Sequence, residues 1–111
     1  MSEVASCQLR YAPIAATKVA RIMGLVRGRS VGEAVAILRV LPQRGARMIE
    51  GVILSAGANA ISKGSRNVEA LRITTLKADF GPMRKRIRAK SRGMAYVERN
   101  RTTHITCGIG E

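Results

Sequence analysis

Residues 84–92 form the most strongly charged stretch of the 111-residue chain. Six of these nine residues are cationic and none is acidic. Four of the six are arginines, whose guanidinium groups can bind a phosphate through two parallel hydrogen bonds. Cations spaced this closely repel one another, so the stretch needs an anionic partner. It therefore predicts contact with a polyanion through phosphate groups, with release of the counterions that the phosphates had held.

The whole chain shares this bias, since its formal charge is +13 while 46% of its residues are hydrophobic. A disordered basic tail would contain far fewer apolar residues, so we expect a folded body with nucleic acid as its partner. Only Tyr11, Phe80 and Tyr96 are aromatic. This scarcity argues against a platform that stacks a series of bases, and it favours contacts to phosphate, sugar and RNA shape.

Residue patterns typical of catalysis or metal binding are missing from the sequence. His104 is the only histidine, and its neighbours offer neither a nucleophile nor a carboxylate, so we expect it to be hydrogen-bonded structurally. Cys7 and Cys107 show no Cys-x-x-Cys spacing, which favours small buried hydrophobes over a disulfide or a chelating pair. We expect no enzymatic activity, no cofactor, no metal and no small-molecule substrate.

Apolar stretches are too short for membrane insertion. None approaches the roughly 20 residues that would span a bilayer, and the N-terminus lacks the apolar region of a secretory signal. The cationic run also lacks the helical period of a helix that lies on a membrane surface. We therefore expect no membrane contact and a reducing compartment.

Apolar periodicity predicts the elements that position the cationic run. Residues 3–11 alternate as a half-buried strand, with Ala5, Cys7, Leu9 and Tyr11 on one face. Residues 14–27 follow helical spacing. Pro13 suits the first turn of this helix, and Gly28 suits its left-handed end.

Two further helices are predicted before the chain returns to strands. Ser30-Val31-Gly32-Glu33 is typical of a capping box that starts the second helix, and Pro42 ends it. The third helix covers about 43–62. Glycines within these helices each cost roughly 0.5–1 kcal/mol relative to alanine. They indicate either close helix packing or weak stability of the free protein, and they stand at Gly24, Gly32, Gly51 and Gly57.

From Val68 onward apolar residues again occupy alternate positions, as in a strand. Near Thr74-Thr75 this alternation shifts by one residue, which predicts a β-bulge that bends the strand away from the body. Residues 103–109 alternate again, which predicts a strand that rejoins the sheet. Between them, about 80–103 should form a hairpin arm with its tip near 89–93. At roughly 3.3 Å per residue the arm would reach on the order of 40 Å. So long a ribbon is barely stable alone, and we expect it to order on binding.

The predicted fold is therefore α+β, as one domain over residues 1–111. Its order is β-α-α-α-β-β, with three helices on a small three-stranded sheet in two layers and a long β-hairpin extension. Cations near the first helix and on the returning strand should bind RNA together with residues 84–92. These cations are Lys18, Arg21, Arg27, Arg29, Arg99 and Arg101.

Four sequence blocks occur in the same order, and with matching gaps, in a known family. They are Lys18-Val19 with Leu25–Val31, then Ser55–Ala60, then Gly81-Pro82, and then Arg101-Thr102-Thr103-His104-Ile105-Thr106. Over essentially its whole length the chain resembles the large-subunit ribosomal protein family conventionally numbered twenty-two, in its bacterial form. One departure is Ala89, which stands where members often carry proline.

The resemblance implies a structural constituent of the large ribosomal subunit, seated near the mouth of the peptide exit tunnel and supporting subunit assembly and translation. It implies large-subunit ribosomal RNA and neighbouring large-subunit proteins as partners, on a cytoplasmic ribosome of bacterial type, or an organellar one if a transit peptide has been removed. The hairpin tip would line the tunnel along which the nascent chain passes, through Arg88, Ala89, Lys90, Ser91, Arg92 and Gly93. The RNA-binding residues would be Lys18, Arg21, Arg27, Arg29, Arg84, Lys85, Arg86, Arg88, Lys90, Arg92, Arg99, Arg101 and His104.

An architectural DNA-binding protein with a basic β-arm is the alternative. Such arms often end in an apolar or proline wedge that kinks the duplex. Here the arm has Ile87 near its tip and no proline there, and the chain shows no obvious dimerisation surface. The residues therefore favour RNA over DNA.

Overall fold

The structure of the protein is a computed structural model, and the residues that it describes are 3–110. Within that range the elements follow the order β1 (Glu3–Ala12), α1 (Ala16–Val26), α2 (Val31–Val40), α3 (Arg44–Ser62), β2 (Arg72–Phe80), β3 (Arg84–Ala89), β4 (Ala95–Asn100) and β5 (Thr103–Gly110). Short 3-10 turns occupy Val68–Ala70 and Ser91–Gly93. The predicted α+β class is confirmed, with β3 and β4 as the hairpin inserted before the last strand.

An antiparallel sheet in the order β1-β5-β2 carries the body. Helix α3 packs against β1 and β5, and helix α1 packs against β2. Apolar side chains of both layers close the core, including the fully buried Met23, Leu38, Ile49, Ile53, Ile105 and Ile109. The strands β3 and β4 form a separate two-stranded ribbon, and the molecule measures 63 Å along its longest axis against 25 and 19 Å across.

The first helix begins later than its sequence predicts. Pro13 lies outside the helix, which starts at Ala16, and Ile14 is buried ahead of it. The Thr103 hydroxyl donates a hydrogen bond to the Ile14 carbonyl oxygen at 2.5 Å, so a contact with β5 holds this segment in a turn. The other end follows the prediction, since Gly28 has a φ of +76° just after the helix.

Only half of the predicted capping box forms at the start of α2. The Glu33 backbone N–H donates to the Ser30 hydroxyl at 3.4 Å. The Glu33 carboxylate instead lies 3.8 Å from the Arg29 guanidinium. Backbone hydrogen bonds from Val31 to Leu71 and from Ile73 to Arg29 tie this turn to β2.

The alternation of β1 fails at its last residues. The pattern predicts that Tyr11 faces inward, but Ala12 is buried and the Tyr11 residue is 60% exposed. The register with β5 shifts between Leu9 and Ala12, and Tyr11 adopts a φ of +59°. An extra residue in one strand exchanges the two faces beyond it. The aromatic ring is thereby turned out of the core.

The bulge predicted in β2 is present, but it does not lead the strand away from the body. The register with β5 shifts between Ile73 and Thr75. Beyond that point β2 remains paired with β5 as far as Phe80, which lies opposite Thr103. The arm therefore leaves the body only after Phe80. The strand also starts later than the period suggested, because residues 68–70 form a 3-10 turn.

The helix glycines differ in how much space surrounds the position that a Cβ atom would occupy. At Gly57 the added atom would lie 3.1 Å from a methyl of Val68, so this glycine lets α3 approach the 68–70 turn closely. At Gly24 and Gly51 it would meet no atom of residues 3–110 within 4 Å. At Gly32 the added atom would make an ordinary contact with Glu69 at 3.5 Å, so close packing explains Gly57 and does not explain Gly24, Gly32 or Gly51.

We expect Gly24→Ala and Gly51→Ala each to raise the free energy of unfolding by about 0.5–1 kcal/mol. Alanine loses less backbone entropy on folding and meets no neighbour at either position. Urea unfolding followed by circular dichroism would measure the change. Gly57→Ala is the matched control, and it should bring no gain because the Val68 methyl must move. Destabilisation at positions 24 and 51 would contradict this interpretation.

The two cysteines are free thiols, as predicted, and they are cross-strand partners in the pairing of β1 with β5. Cys107 is buried, whereas Cys7 is only half-buried, so the prediction of a buried hydrophobe holds fully for Cys107 alone. Burial, with smaller contributions from Cys7 and Glu3, raises the pKa of the Cys107 thiol from 9.0 to about 12.

Cys107 should make the fold sensitive to alkaline pH. The pKa of the Cys107 thiol is higher in the folded protein than in the unfolded chain. The contribution of the neutral thiol to the free energy of unfolding is therefore fully present below pH 9.0 and is lost as the pH rises toward about 12. We expect Cys107→Ala to flatten the fall of the unfolding free energy with pH above about 9, measured by urea titration. Cys7→Ala is the control. An unchanged pH slope in Cys107→Ala would refute the assignment.

Candidate nucleic-acid interface

The register of the hairpin sorts the arm's side chains onto two faces. Alternate residues of a strand share a face, and residues opposite each other in the ladder share it too. One face, here called the arginine face, carries Arg84, Arg86, Arg88, Tyr96, Glu98 and Asn100. The other, here called the apolar face, carries Lys85, Ile87, Ala89, Ala95, Val97 and Arg99.

The apolar face is open to solvent along its whole length. The Ile87 side chain is 79% exposed and lies opposite Val97, which is 50% exposed. At its base Lys85 lies directly opposite Arg99. Like charges in that position repel each other. This repulsion destabilises the root of the free ribbon.

Glu98 offsets part of the arm's charge, which the sequence analysis missed. The Arg88 guanidinium donates a hydrogen bond to its carboxylate. Glu98 lies across the hairpin and outside the cationic run, so spacing along the chain gave no signal of this pair. Among residues 3–110, Arg84 and Arg86 make no ion pair. These two arginines therefore carry the charge of the arginine face that is not held in an ion pair, although Arg86 lies opposite Glu98 in the ladder.

The hairpin turn lies at the predicted tip. Lys90 and Met94 are joined by a backbone hydrogen bond, and Arg92 and Gly93 have consecutive positive φ values of 62° and 73°. The Lys90 ammonium lies 4.5 Å from the centroid of the Tyr96 ring, a distance at which a cation is attracted to the aromatic face. The turn thus leaves Arg92 exposed at the extremity of the arm.

Hydrogen bonds fix the arm to the body at its root. The Gly81 N–H donates to the Thr102 carbonyl oxygen at 3.0 Å, and the Thr102 hydroxyl donates to the Pro82 carbonyl oxygen at 2.6 Å. One residue further into the body, Thr103 is buried against β2. The two segments of the arm therefore leave the sheet side by side, joined by these hydrogen bonds.

The predicted body cations do not form one cluster. Lys18 and Arg21 line a cavity of about 380 Å³ near the start of α1. Arg27 and Arg29 lie at the other end, where their guanidinium groups donate to the carbonyl oxygens of Leu76 and Leu25, each at 2.9 Å. The helix between them has 11 residues and is about 16 Å long. The body therefore presents two basic surfaces.

Two arginines complete these surfaces and were not predicted. Arg44 lines the same cavity as Lys18 and donates to the Pro13 carbonyl oxygen. Arg72 donates to the Gly28 carbonyl oxygen at 3.1 Å, which brings it beside the end of α1. Each is the first residue of a later element, and only the folded chain brings it to the first helix.

Three predicted residues lie near the root of the arm. Arg99 is on the apolar face, and Arg101 is exposed between β4 and β5. His104 is half-buried, and its Nδ1 accepts a hydrogen bond from the Tyr11 backbone N–H at 3.1 Å. Its ring meets the Tyr11 ring edge-on with 5.0 Å between centroids. The expected structural hydrogen bond of His104 is therefore present.

The described range, residues 3–110, contains neither a metal-binding cluster nor a helix that could span a membrane. No group of three or more histidine, cysteine, aspartate or glutamate side chains there could hold a metal ion. No helix in that range is long and apolar enough to cross a membrane.

Comparison with known proteins gives consistent results along the chain. Residues 7–110 match the family described as ribosomal protein L22p/L17e. A protein of Caldicellulosiruptor saccharolyticus named large ribosomal subunit protein uL22 is 44% identical over 107 residues, which are 96% of this chain and 88% of that protein. A protein of Rhodopirellula baltica with the same name is 46% identical over 105 residues, which are 90% and 88% of the two chains. Because the match includes both the body and the arm, this chain belongs to the ribosomal protein L22p/L17e family.

Proposed function

We propose that this protein is a structural, non-catalytic constituent of the large ribosomal subunit that binds large-subunit ribosomal RNA. The arginine face of the arm carries the proposal. It presents Arg84 and Arg86 on a projecting ribbon, without an ion pair among the described residues. RNA phosphates would neutralise this charge and release their counterions. The names of the two relatives support the same assignment.

The body would bind RNA at two places. Lys18, Arg21 and Arg44 form one basic surface, and Arg44 contacts Pro13 close to the root of the arm. Arg27, Arg29 and Arg72 form the other, at the opposite end of α1. A molecule with basic surfaces at both ends of its body and along an arm can join separate RNA segments. This supports a role in subunit assembly.

The tip of the arm, residues 88–93, would line the peptide exit tunnel, with the nascent chain passing it. Family membership supports this location, and so does the elongated shape of the molecule. Part of the tip's charge is masked, since Arg88 is paired with Glu98 and Lys90 covers Tyr96. The phosphate contacts would then concentrate nearer the root. The rest of the protein would lie on a bacterial-type ribosome beside neighbouring large-subunit proteins.

We expect the full-length protein, tagged and expressed in bacterial cells, to co-sediment with large ribosomal subunits in a sucrose gradient. It should remain bound through a high-salt wash, because the two body surfaces and the arm would contact RNA at the same time. Small subunits in the same gradient are the control. Recovery in the unbound fractions would contradict the proposal, and enrichment on DNA would favour the architectural alternative.

A further inference from the structure

A cleft of about 460 Å³ separates the root of the arm from the end of β1. It is lined by Tyr11, Pro13, Pro82, Arg84, Arg86, Asn100 and Thr102. Its walls therefore combine an aromatic ring, two guanidinium groups and a side-chain amide. The residues come from both ends of the chain, so no sequence motif marks the site.

Tyr11 is held in this cleft at a conformational cost. A φ of +59° is uncommon for a residue with a side chain, and such strain persists only where the surroundings fix it, often at ligand sites. Here the hydrogen bond to His104 Nδ1 and the edge-on contact with the His104 ring fix it. The fold thus sets the Tyr11 and His104 rings at 83° to each other and leaves 60% of the Tyr11 residue exposed.

The polar groups of the cleft belong to the arginine face. Arg84 lies opposite Asn100 in the hairpin, and Arg86 is the next residue on that face. The Thr102 hydroxyl is already donated to Pro82. The amide of Asn100 can donate and accept hydrogen bonds along the edge of a base.

We propose that this cleft binds one unstacked nucleotide of RNA. The base stacks on the Tyr11 ring, the phosphate lies between Arg84 and Arg86, and the Asn100 amide hydrogen-bonds the edge of the base. The proposal rests on the RNA-binding function above and adds a base contact that the scarcity of aromatic residues argued against.

The composition of the cleft selects this ligand over a bare phosphate. A phosphate on a duplex would use the two arginines and leave the aromatic ring uncovered. A base within a duplex is stacked on its neighbours and cannot offer its face, so the nucleotide must come from a loop, bulge or end. The cavity volume is in the range typical of sites for small ligands.

The test uses the full chain and an RNA hairpin with one unpaired 2-aminopurine, whose fluorescence reports stacking on the protein. A second hairpin carries an abasic residue at that position. We expect about tenfold tighter binding of the base-containing hairpin, the effect typical of one base on one aromatic ring. Tyr11→Phe keeps the ring and should keep this preference. Tyr11→Leu should abolish it.

Equal affinity of the unchanged protein for the two hairpins would overturn the inference while leaving salt-dependent RNA binding in place. A preference that survives in a folded Tyr11→Leu would also overturn it. Asn100→Ala is the second variant, should leucine prevent folding, and it should weaken the preference for the base-containing hairpin over the abasic one. If the unchanged protein binds neither hairpin nor large-subunit RNA, the proposed function itself fails.

Discussion

An Arg84→Gln, Arg86→Gln double variant should bind large-subunit ribosomal RNA with a shallower dependence on salt. Each phosphate contact contributes about 0.7–0.9 to the slope of log K against log salt concentration. Loss of two contacts should therefore lower the slope by about 1.4–1.8 and the affinity at about 50 mM salt by about 100-fold. Fluorescence anisotropy over a salt series would measure both quantities. Arg88 is left unchanged, because its removal would leave Glu98 without its partner.

The arm provides a matched control in Lys85→Gln, Arg99→Gln. This variant removes the same number of charges from the same ribbon, but from the apolar face. It also relieves the repulsion between two opposed cations. If the arginine face is the phosphate contact, the control should change the slope much less. Equal effects in the two variants would show that net charge alone governs binding, and the assignment to one face would be wrong.

The regular elements could be predicted because their apolar residues repeat over several turns. The spacing of Ile49, Val52, Ile53 and Ala56 places the third helix within one residue of its observed bounds. The errors lie where contacts with distant residues decide the conformation. The Thr103 hydroxyl holds Ile14 outside the first helix, and the pairing of β1 with β5 contains the bulge that turns Tyr11 outward. Neither effect can be predicted from the spacing of apolar residues along the chain.

The candidate site, too, could be predicted from the sequence only in part. The charge of the run 84–92 is visible in the sequence, and it predicts the arm as the main anion-binding element. The division of that charge between two faces depends on the register of β3 with β4, and the pair of Arg88 with Glu98 depends on it too. The cleft at the root needs Tyr11 and Arg84 together, residues that only the folded chain makes neighbours. The two faces and the cleft therefore follow from long-range pairing, whereas composition alone predicts only that the partner is anionic.

Gly81→Ala should misdirect the arm without unfolding the body. A Cβ at position 81 would lie 2.4 Å from the Thr102 hydroxyl oxygen and 3.2 Å from the Thr102 carbonyl carbon and oxygen. The hydroxyl cannot rotate freely, since it is bonded to Pro82, and the backbone cannot retreat without straining the 3.0 Å hydrogen bond from Gly81. We expect a stability loss of about 1–3 kcal/mol, typical of overpacking.

The larger effect of Gly81→Ala should be on RNA binding. The tip lies about ten residues beyond the root, or about 30 Å at 3.3 Å per residue, so a small rotation there moves it by several ångströms. We expect RNA affinity to fall at least about tenfold while β5 amides keep their hydrogen-exchange protection. Adding Thr102→Ala removes the closest clash and should restore part of the affinity, which a double-mutant cycle would measure. Undiminished RNA affinity in Gly81→Ala would mean that the root does not aim the arm.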